Sequence, residues 1–482
     1  MNTGTTFQIS DLILMRQELL LIALFAAILI IEVLRRSKDA SYMLPITYIS
    51  FGLITIVGFL DVPTGSIFGG MYQTDALRVM MKNILNIGTF IVLLQSYTWL
   101  KKEDNIYRIG EYIILLLITL IGMNFMISSG DFIMFYIGLE IATIPLAVLA
   151  AYDRSSNISA EAGIKLILMS ALSSGVLLYG ISMIYGSTGS IYFSEVAQHL
   201  SLNGLQALGF IFFFSGMGFK ISLVPYHLWA ADVYEGAPTS ISSYLSVISK
   251  SSAVFIFTIM LFTVFKDISI LWERVLYVVI ILTITIGNLF ALRQNNLKRF
   301  LAFSSIAQAG FILLGIISGT QEGMASVIYF SLIYIFSNLA AFGIVASVEN
   351  KYGKLNMDDY NGLYHSNPKL SLLMLVAMFS LAGIPPIAGY FGKFFLYMAA
   401  VQQGSMSMYI LVLIAIINTI ISLYYYLKIV RAMFLTKNEN PLPYFKNDFP
   451  TQLSLAICFI GIFSIGLIAV IYEFILNNSF GI

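Results

Sequence analysis

Residues 219–240 read FKISLVPYHLWAADVYEGAPTS and follow a wholly apolar run, GLQALGFIFFFSGMG, at residues 204–218. Apolar segments of about this length are typical of membrane-spanning helices. Lys220 follows the run directly, Pro225 comes five residues later, and His227 two residues after that. A charge at membrane depth costs free energy, and a proline interrupts its helix. This combination predicts a broken membrane helix with a functional charge at the break.

The composition is that of a polytopic membrane protein. Of 482 residues, 59% are hydrophobic and 11% are charged, whereas soluble domains carry roughly 45–50% and about 25%. The net charge of +1 argues against a nucleic-acid partner. The single cysteine, Cys458, supports neither a disulfide, a zinc site nor an iron–sulfur cluster. No phosphate-binding or dinucleotide-binding motif occurs, so we expect no cofactor or metal in this chain.

The chain is predicted to be all-α, with fourteen membrane spans. No lysine or arginine precedes the first apolar run, which is therefore expected to be a retained helix and not a signal peptide. The predicted spans 1 to 14 lie at residues 12–34, 41–60, 77–99, 107–128, 131–151, 161–186, 205–225, 238–264, 269–291, 299–318, 323–349, 369–401, 408–434 and 452–476.

Loop charges predict the orientation of the chain, because basic residues concentrate in cytoplasmic loops. The even-numbered connections hold little beyond Lys266 and Arg274. Odd-numbered connections are therefore predicted to be cytoplasmic and both termini to lie outside. The basic residues of the odd connections are Arg35, Arg36, Lys38, Lys101, Lys102, Arg108, Arg154, Arg293, Lys298, Arg299, Lys351, Lys354, Lys369, Arg431, Lys437 and Lys446.

Ionisable residues remain inside the predicted spans, and each costs about 2.5–3.5 kcal/mol at a helix centre on insertion scales. The deep set is Glu140, Lys165, Lys220, Lys250 and Lys393. A second set lies nearer the span ends and is equally compatible with interfacial anchors and with functional groups: Arg16, Glu18, Lys82, Glu111 and Lys428.

Two interpretations of the deep set are open. Paired charges could simply clamp helices together, but one carboxylate can pair with one lysine, and three further lysines lack an obvious deep partner. An unpaired amine in a low-dielectric interior holds its proton less firmly, which suits proton transfer. If Glu140 lies close to Lys220, it keeps the lysine protonated. Separating the two, or protonating Glu140, would then release the lysine's proton.

The prolines mark where such a path could be hydrated. Pro225 cannot donate to the carbonyl of Ile221, so the helix opens there. Freed carbonyls at membrane depth require protein or trapped water. The Gly383–Pro386 stretch, GIPP, predicts a second break, in span 12, and Lys393 follows it by seven residues. His227 is compatible with a satisfied polar residue, but a relay role is favoured because imidazole exchanges protons near neutral pH.

Five stretches carry a family resemblance: FYIGLEIATIPL (135–146), FKISLVPYHLWAADVYEGAP (219–238), NLFALRQNNLKRFLAFSSIAQAG (288–310), DDYNGLY (358–364) and AGIPPIAGYFGKF (382–394). Together they resemble the antiporter-like membrane subunits of respiratory complex I, NADH:quinone oxidoreductase. The lysine in GYFGKF favours the N-type subunits within that group.

The resemblance implies fourteen helices, with spans 4–8 and 9–13 forming two inverted five-helix repeats and with helices 7 and 12 broken. Such repeats are common in transporters. Lys220 precedes its proline whereas Lys393 follows its own, so the local sequence alone does not align the repeats. Residues 1–482 would then form a single transmembrane domain: helices 1–3 at 1–100, the first repeat at 101–265, the second at 266–436, and helix 14 at 437–482.

The resemblance also implies roles for individual residues. Glu140 and Lys220 resemble the helix-5 and helix-7 pair of the first half-channel, and Lys165 the helix-6 lysine beside that pair. Lys250 resembles the bridging residue of helix 8, and Lys393 the lysine of the second half-channel.

One departure concerns Gln308, which stands in SSIAQAG where relatives often have histidine. Since glutamine cannot titrate, a relay there would need water or the adjacent Ser304 and Ser305.

The function that the resemblance implies is proton translocation within a bacterial cell-membrane (inner-membrane) NADH:quinone oxidoreductase. Electron transfer, quinone, FMN and iron–sulfur clusters would belong to partner subunits. The expected neighbours are another antiporter-like subunit, small membrane subunits and the lipid bilayer. The alternatives are a subunit of a multisubunit cation/proton antiporter, a membrane-bound hydrogenase subunit, and a static scaffold.

Overall fold

The structure of the protein, a computed structural model, describes residues 9–60, 62–438 and 440–482. In these ranges twelve helices are long and apolar enough to cross a membrane. They are Asp11–Leu34, Ala76–Gln95, Ile106–Ile127, Phe132–Ala150, Asn157–Thr188, Gly204–Ile221, Thr239–Thr263, Lys266–Ala291, Leu297–Ile317, Gln321–Tyr352, Met406–Phe434 and Phe449–Leu467. Two apolar helices are shorter, Met43–Val57 and Pro368–Ala382.

Smaller elements complete the spans and their connections. Helices Leu228–Gly236 and Ala469–Asn477 follow spans 7 and 14 across breaks in the backbone, and Ala388–Val401 is the second half of span 12. Short helices lie at Tyr97–Leu100, Phe193–His199 and Leu363–Ser366, and single turns at Phe68–Gly70 and Met357–Tyr360. A hairpin pairs strand β1 (Gly65–Ile67) with strand β2 (Tyr72–Thr74) in antiparallel register.

The predicted fold class is confirmed, since each of the fourteen apolar runs contains a helix. Span 12 is divided, as GIPP indicates, into Pro368–Ala382 and Ala388–Val401. The helix of span 7 ends at Ile221, four residues before Pro225. The β1–β2 hairpin was not predicted, because three-residue strands are too short for a period-two pattern to be recognised. The orientation and the domain boundaries stay predictions.

Burial divides the spans into central and peripheral groups. The most apolar windows of spans 8 and 10 are 100% buried and that of span 11 is 94% buried, whereas those of spans 1, 6, 13 and 14 are 28–33% buried. Helices that are apolar all round and also buried form the interior of a bundle. Polar side chains on spans 8 and 10 are therefore sealed from the surroundings by other helices.

The breaks in spans 7 and 12 have the same backbone geometry. Ser222 and Gly383 end the two helices in the left-handed conformation, with φ of 66° and 85°. The N–H of Ser222 donates to the carbonyl of Phe219, and the N–H of Gly383 donates to that of Ser380. Gly383 lies 161 positions after Ser222, and Ser380 lies 161 positions after Phe219. The two breaks are thus corresponding features of the fold.

Candidate functional site

Lys220 lies in the last turn before the first break and is 8% exposed. Its Nζ donates a hydrogen bond to Oγ1 of Thr143 on span 5. A buried amine needs such a partner, because an unsatisfied charged donor in the interior is costly. The first break therefore places an amine against a hydroxyl contributed by another span.

Glu140, the predicted partner of Lys220, lies one helical turn before Thr143 on the same span. No ion pair within 4.0 Å joins the two in the described part of the chain. Glu140 Oε1 is buried and has no hydrogen-bond partner there. Lys220 therefore binds Thr143, one turn further along span 5, and forms no ion pair with Glu140 in the described part of the chain.

A small cavity of about 10 Å³ adjoins Lys220, about the space that one water molecule needs. Hydroxyl groups line it from two spans, and the serines among them are Ser170, Ser173 and Ser174 of span 6. Ser173 also borders a surface groove of about 270 Å³ that contains Pro225. The cavity therefore lies between the buried amine and the outside of the broken helix.

His227 lies within the first break, immediately before helix Leu228–Gly236, and is 8% exposed. Its Nδ1 is buried and unpartnered among the described residues. No hydrogen bond within those residues joins it to Lys220. Its placement at the break agrees with the prediction, and its relay role stays a prediction.

Lys165 forms ion pairs with two carboxylates. Its Nζ binds Asp232 at 2.8 Å and Glu161 at 2.7 Å, and its side chain is 40% exposed. Arg299 binds the same Asp232 at 2.7 Å and Glu235 at 2.8 Å. The sequence shows no obvious deep partner for this lysine, whereas the structure supplies two carboxylates. The role of Lys165 beside the first pair stays a prediction. Asp232 is distant from Lys165 in sequence, so only the tertiary fold brings these two residues together.

Lys250 follows a π-helical turn, Leu245–Ser249, that interrupts span 8. Such turns commonly mark functional positions in helices. The lysine is 3% exposed, and its Nζ donates to the carbonyl oxygen of Ser305 at 3.1 Å and to Ser305 Oγ at 2.5 Å. Its partners belong to span 10, so the amine lies between the two fully buried spans.

Lys393 is 3% exposed, and its side chain folds back to the second break. Its Nζ donates to the carbonyl of Ala382 at 3.0 Å and lies 4.9 Å from the ring centroid of Phe311. Glycine is required at position 383, because a Cβ there would lie 3.0 Å from Lys393 Cδ and φ is positive. The amine thus binds a carbonyl that the break has freed.

The fold resolves the different positions of the two lysines relative to their prolines. By the matching spacing of the breaks, Lys220 corresponds to Leu381, and Lys393 corresponds to Asp232. Because Lys393 reaches back to Ala382, both amines lie at the ends of the first half-helices. The two sites match in space although their lysines come from different positions.

A run of polar groups, which we call the central polar run, connects the surroundings of Lys250 with the second break. Ser304 Oγ lies 2.5 Å from the hydroxyl of Tyr426. The Nε2 of Gln308 donates to that hydroxyl at 3.0 Å and to the carbonyl of Leu381 at 3.0 Å. The run consists of Lys250, Ser305, Ser304, Tyr426, Gln308, the carbonyls of Leu381 and Ala382, and Lys393.

Tyr426 was missed at the sequence level. Its only signal is a run of three tyrosines in span 13, LYYYLK, which is equally typical of a lipid-facing aromatic surface. The structure shows that Gln308 reaches Ser304 through this phenol, so a hydroxyl group stands beside the residue that cannot titrate.

A further buried charge pair lies among the residues predicted near span ends. Lys82 Nζ binds Glu18 Oε1 at 2.7 Å, and their side chains are 1% and 0% exposed. The hydroxyl of Tyr72 donates to Glu18 Oε2 at 2.9 Å and lies 3.1 Å from Lys82 Nζ. This pair ties spans 1 and 3 to the β1–β2 hairpin, well away from both breaks in sequence.

The described ranges contain no candidate metal-binding cluster, and their cysteine is not exposed. No group of three or more histidine, cysteine, aspartate or glutamate side chains lies there in an arrangement that could hold a metal ion. Cys458 is buried.

The fold and these sites define a class, the polytopic membrane proteins with discontinuous helices and buried ionisable groups at the breaks. Comparisons with known proteins identify the family within this class. The model of the family described as NADH:quinone oxidoreductase/Mrp antiporter, TM, matches residues 129–422. The chain belongs to this family.

Two relatives extend the similarity over nearly the whole chain. The chain is 48% identical to NADH-quinone oxidoreductase subunit N of Phocaeicola vulgatus, over 98% of this chain and 99% of the relative. It is 50% identical to the subunit of the same name from Azobacteroides pseudotrichonymphae, over 98% and 99%. A chain of respiratory complex I from Thermus thermophilus with bound aureothin superposes with a TM-score of 0.79 at 25% identity, covering 94% and 97%. The resemblance inferred from the motifs is confirmed.

Proposed function

We propose that this chain is the proton-translocating membrane subunit, of the N type, of an NADH:quinone oxidoreductase. One observation carries the proposal: buried amines lie at two corresponding helix breaks, and a third buried amine lies on span 8 beside the central polar run. The names of the two relatives, each about half identical over almost the full length, support the same assignment.

The first break supplies a charge-controlled proton site. Lys220 is held by Thr143, and Glu140, one turn from Thr143 on span 5, would act on it without forming an ion pair. At an effective dielectric constant near 20, two unit charges about 4 Å apart interact by about 4 kcal/mol, and at twice that separation by about 2 kcal/mol. The smaller value corresponds to roughly a 30-fold change in proton affinity. Moving or neutralising Glu140 would therefore change whether Lys220 keeps its proton, and His227 would exchange it at the break.

Lys250 and the central polar run supply the connection to the second break. Hydroxyl groups both donate and accept, so the phenol of Tyr426 and the hydroxyls of Ser304 and Ser305 can pass a proton along. Lys393 would receive it through water at the second break, because only an amide and two backbone carbonyls, which do not relay protons, lie between it and Tyr426. Gln308 would act as a fixed hydrogen-bonding group that orients the phenol.

Lys165 has a different part in this proposal. Through Asp232 it links span 6 to the half-helix that follows the first break, and Arg299 links that half-helix to span 10. A change in these ion pairs would move the half-helix relative to the amine of Lys220. Lys165 would then influence the first site electrostatically and by position, without carrying the proton.

The proposal assigns the remaining chemistry to partner subunits. NADH oxidation and quinone reduction, with FMN and iron–sulfur clusters, would occur there, and another antiporter-like subunit and small membrane subunits would flank this chain. The chain would cross the bacterial cytoplasmic membrane with both termini outside. The inverted repeats would comprise residues 101–265 and 266–436.

A cation/proton antiporter subunit is the second candidate, because the family description includes Mrp antiporters. Purification in mild detergent separates the two. An assembly with flavin and iron–sulfur absorbance supports the proposal, and an assembly without redox centres supports the antiporter.

The direct test is Lys220→Ala in the intact assembly, with Lys38→Ala in an exposed loop as the matched control. We expect normal assembly, a large loss of NADH-driven proton pumping in the first variant, and no loss in the second. Normal pumping by Lys220→Ala would support a static scaffold and overturn the proton-transfer role.

A further inference from the structure

A groove of about 730 Å³ opens on the surface between the first half of span 12 and the start of span 14. Its walls are mainly apolar, and several of their side chains are well exposed: Leu372 at 49%, Phe459 at 44% and Ile460 at 61%. The volume falls within the range of sites for small molecules. In a membrane-spanning chain, exposed apolar walls of this kind are in contact with lipid tails or with another helix.

Hydrogen bonds fix the rim of this groove. Asn367 Nδ2 donates to the carbonyl of Pro443 at 3.0 Å, and Asn367 Oδ1 accepts from the N–H of Phe445 at 3.2 Å. The hydroxyl of Tyr352 donates to the same Pro443 carbonyl at 2.9 Å. The segment that precedes span 14 is therefore attached to the start of span 12, and the groove is formed before any ligand binds.

The charge on the rim has one sign. Lys369 and Lys446 line the groove from its two sides, and no acidic residue lines it. Within the described ranges neither lysine forms an ion pair. Asp448, the nearest carboxylate along the chain, accepts a hydrogen bond from Thr98 Oγ1 at 3.0 Å.

We propose that this groove binds one anionic phospholipid, with its phosphate between Lys369 and Lys446 and an acyl chain along Leu372, Phe459 and Ile460. A purely apolar partner would leave two lysines without a counter-charge, and a soluble anion would leave the apolar walls uncovered. An anionic phospholipid satisfies both, and basic pockets between membrane helices bind such headgroups. Both loops that carry the lysines are odd-numbered and thus predicted to be cytoplasmic.

The proposal requires only that the chain lies in a membrane, so it does not depend on the proton path. The test is a photo-crosslink from a benzophenone attached at Ile460→Cys. The complete assembly is placed in dioleoyl phosphatidylcholine vesicles that contain a trace of dioleoyl phosphatidylglycerol. We expect the adduct to contain phosphatidylglycerol far above its share of the vesicle lipid.

Two variants and one control define the site. Near a membrane surface, each lysine contributes separately to the attraction of anionic lipid. Loss of both lysines is expected to lower the preference for anionic over zwitterionic lipid roughly 30-fold. Lys369→Ala with Lys446→Ala should therefore lower the phosphatidylglycerol preference by roughly that factor. Lys351→Ala with Lys437→Ala removes the same charge from the same two loops but outside the groove, and should leave the preference unchanged.

A second variant tests the apolar wall separately. Leu372→Trp fills the groove without altering its charge and should lower the total lipid adduct. The proposal is overturned if the adduct is a neighbouring protein subunit, if phosphatidylcholine is captured in proportion to its abundance, or if the double lysine variant behaves like its control.

Discussion

Tyr426 offers the sharpest test of the central polar run, through the substitution Tyr426→Phe. Its hydroxyl lies 2.5 Å from Ser304 Oγ and accepts from Gln308 Nε2 at 3.0 Å. The substitution removes two hydrogen bonds, each worth about 0.5–1.5 kcal/mol net, so the protein should lose about 1–3 kcal/mol of stability. It also removes the only side-chain hydroxyl that bridges Ser304 and Gln308 in the described structure.

Proton transfer should be affected more than stability. A barrier raised by 1.36 kcal/mol already slows a step about tenfold. We therefore expect proton pumping per NADH oxidised to fall at least about tenfold. The assay is the quenching of a pH-sensitive dye in inside-out membrane vesicles, normalised to the NADH oxidation rate measured with an uncoupler present.

Tyr425→Phe is the matched control. This neighbouring phenol is also buried, but it donates to Asn288 Oδ1 at 2.8 Å and lies outside the central polar run. Its loss should cost similar stability and leave pumping near normal. Equal pumping by the two variants would refute the assignment of Tyr426 to the proton path.

Three further predictions follow from the geometry. Thr143→Val removes the hydroxyl that Lys220 binds, and since hydrogen bonds to charged groups are worth about 1.5–3 kcal/mol, pumping in the same vesicles should fall roughly tenfold or more; unchanged pumping would contradict the role of this contact. Gly383→Ala adds about 1–2 kcal/mol of backbone strain and a close contact with the adjacent lysine side chain, so it should lower the melting temperature of the assembly more than Gly404→Ala, where φ is also positive but no atom lies within 4 Å. Glu18→Gln leaves a buried lysine unpaired, so it should destabilise the assembly by about 3–5 kcal/mol, and adding Lys82→Met should restore most of that loss in thermal unfolding; no restoration would argue that the pair has more than a structural role.

The contacts of Lys165 and Lys393 have one feature in common. In both cases the residue type is read from the sequence, but the partner lies in another segment. Lys165 finds Asp232 beyond the first break, and Lys393 finds the carbonyl of Ala382 on the opposite side of its own break. Local spacing cannot show either contact, because long flexible side chains reach whatever the packing of helices places nearby.

What the amino-acid sequence determined by itself are the properties set within a single segment. Apolar runs of membrane length specify the helices, because the lipid interior requires every backbone polar group to be bonded within the segment. Pro225 and GIPP specify the breaks, because proline removes a backbone donor from its own helix. The scarcity of deep charges singles out the buried lysines.

The relations between segments depend on the tertiary structure. It made spans 8, 10 and 11 the interior, and it separated Glu140 from direct contact with Lys220. It also placed Tyr426 against Gln308 and brought two lysines from non-corresponding positions to matching breaks. These relations depend on how helices far apart in sequence pack side by side. The hydropathy pattern does not report that packing, because lipid-facing and helix-facing surfaces are equally apolar.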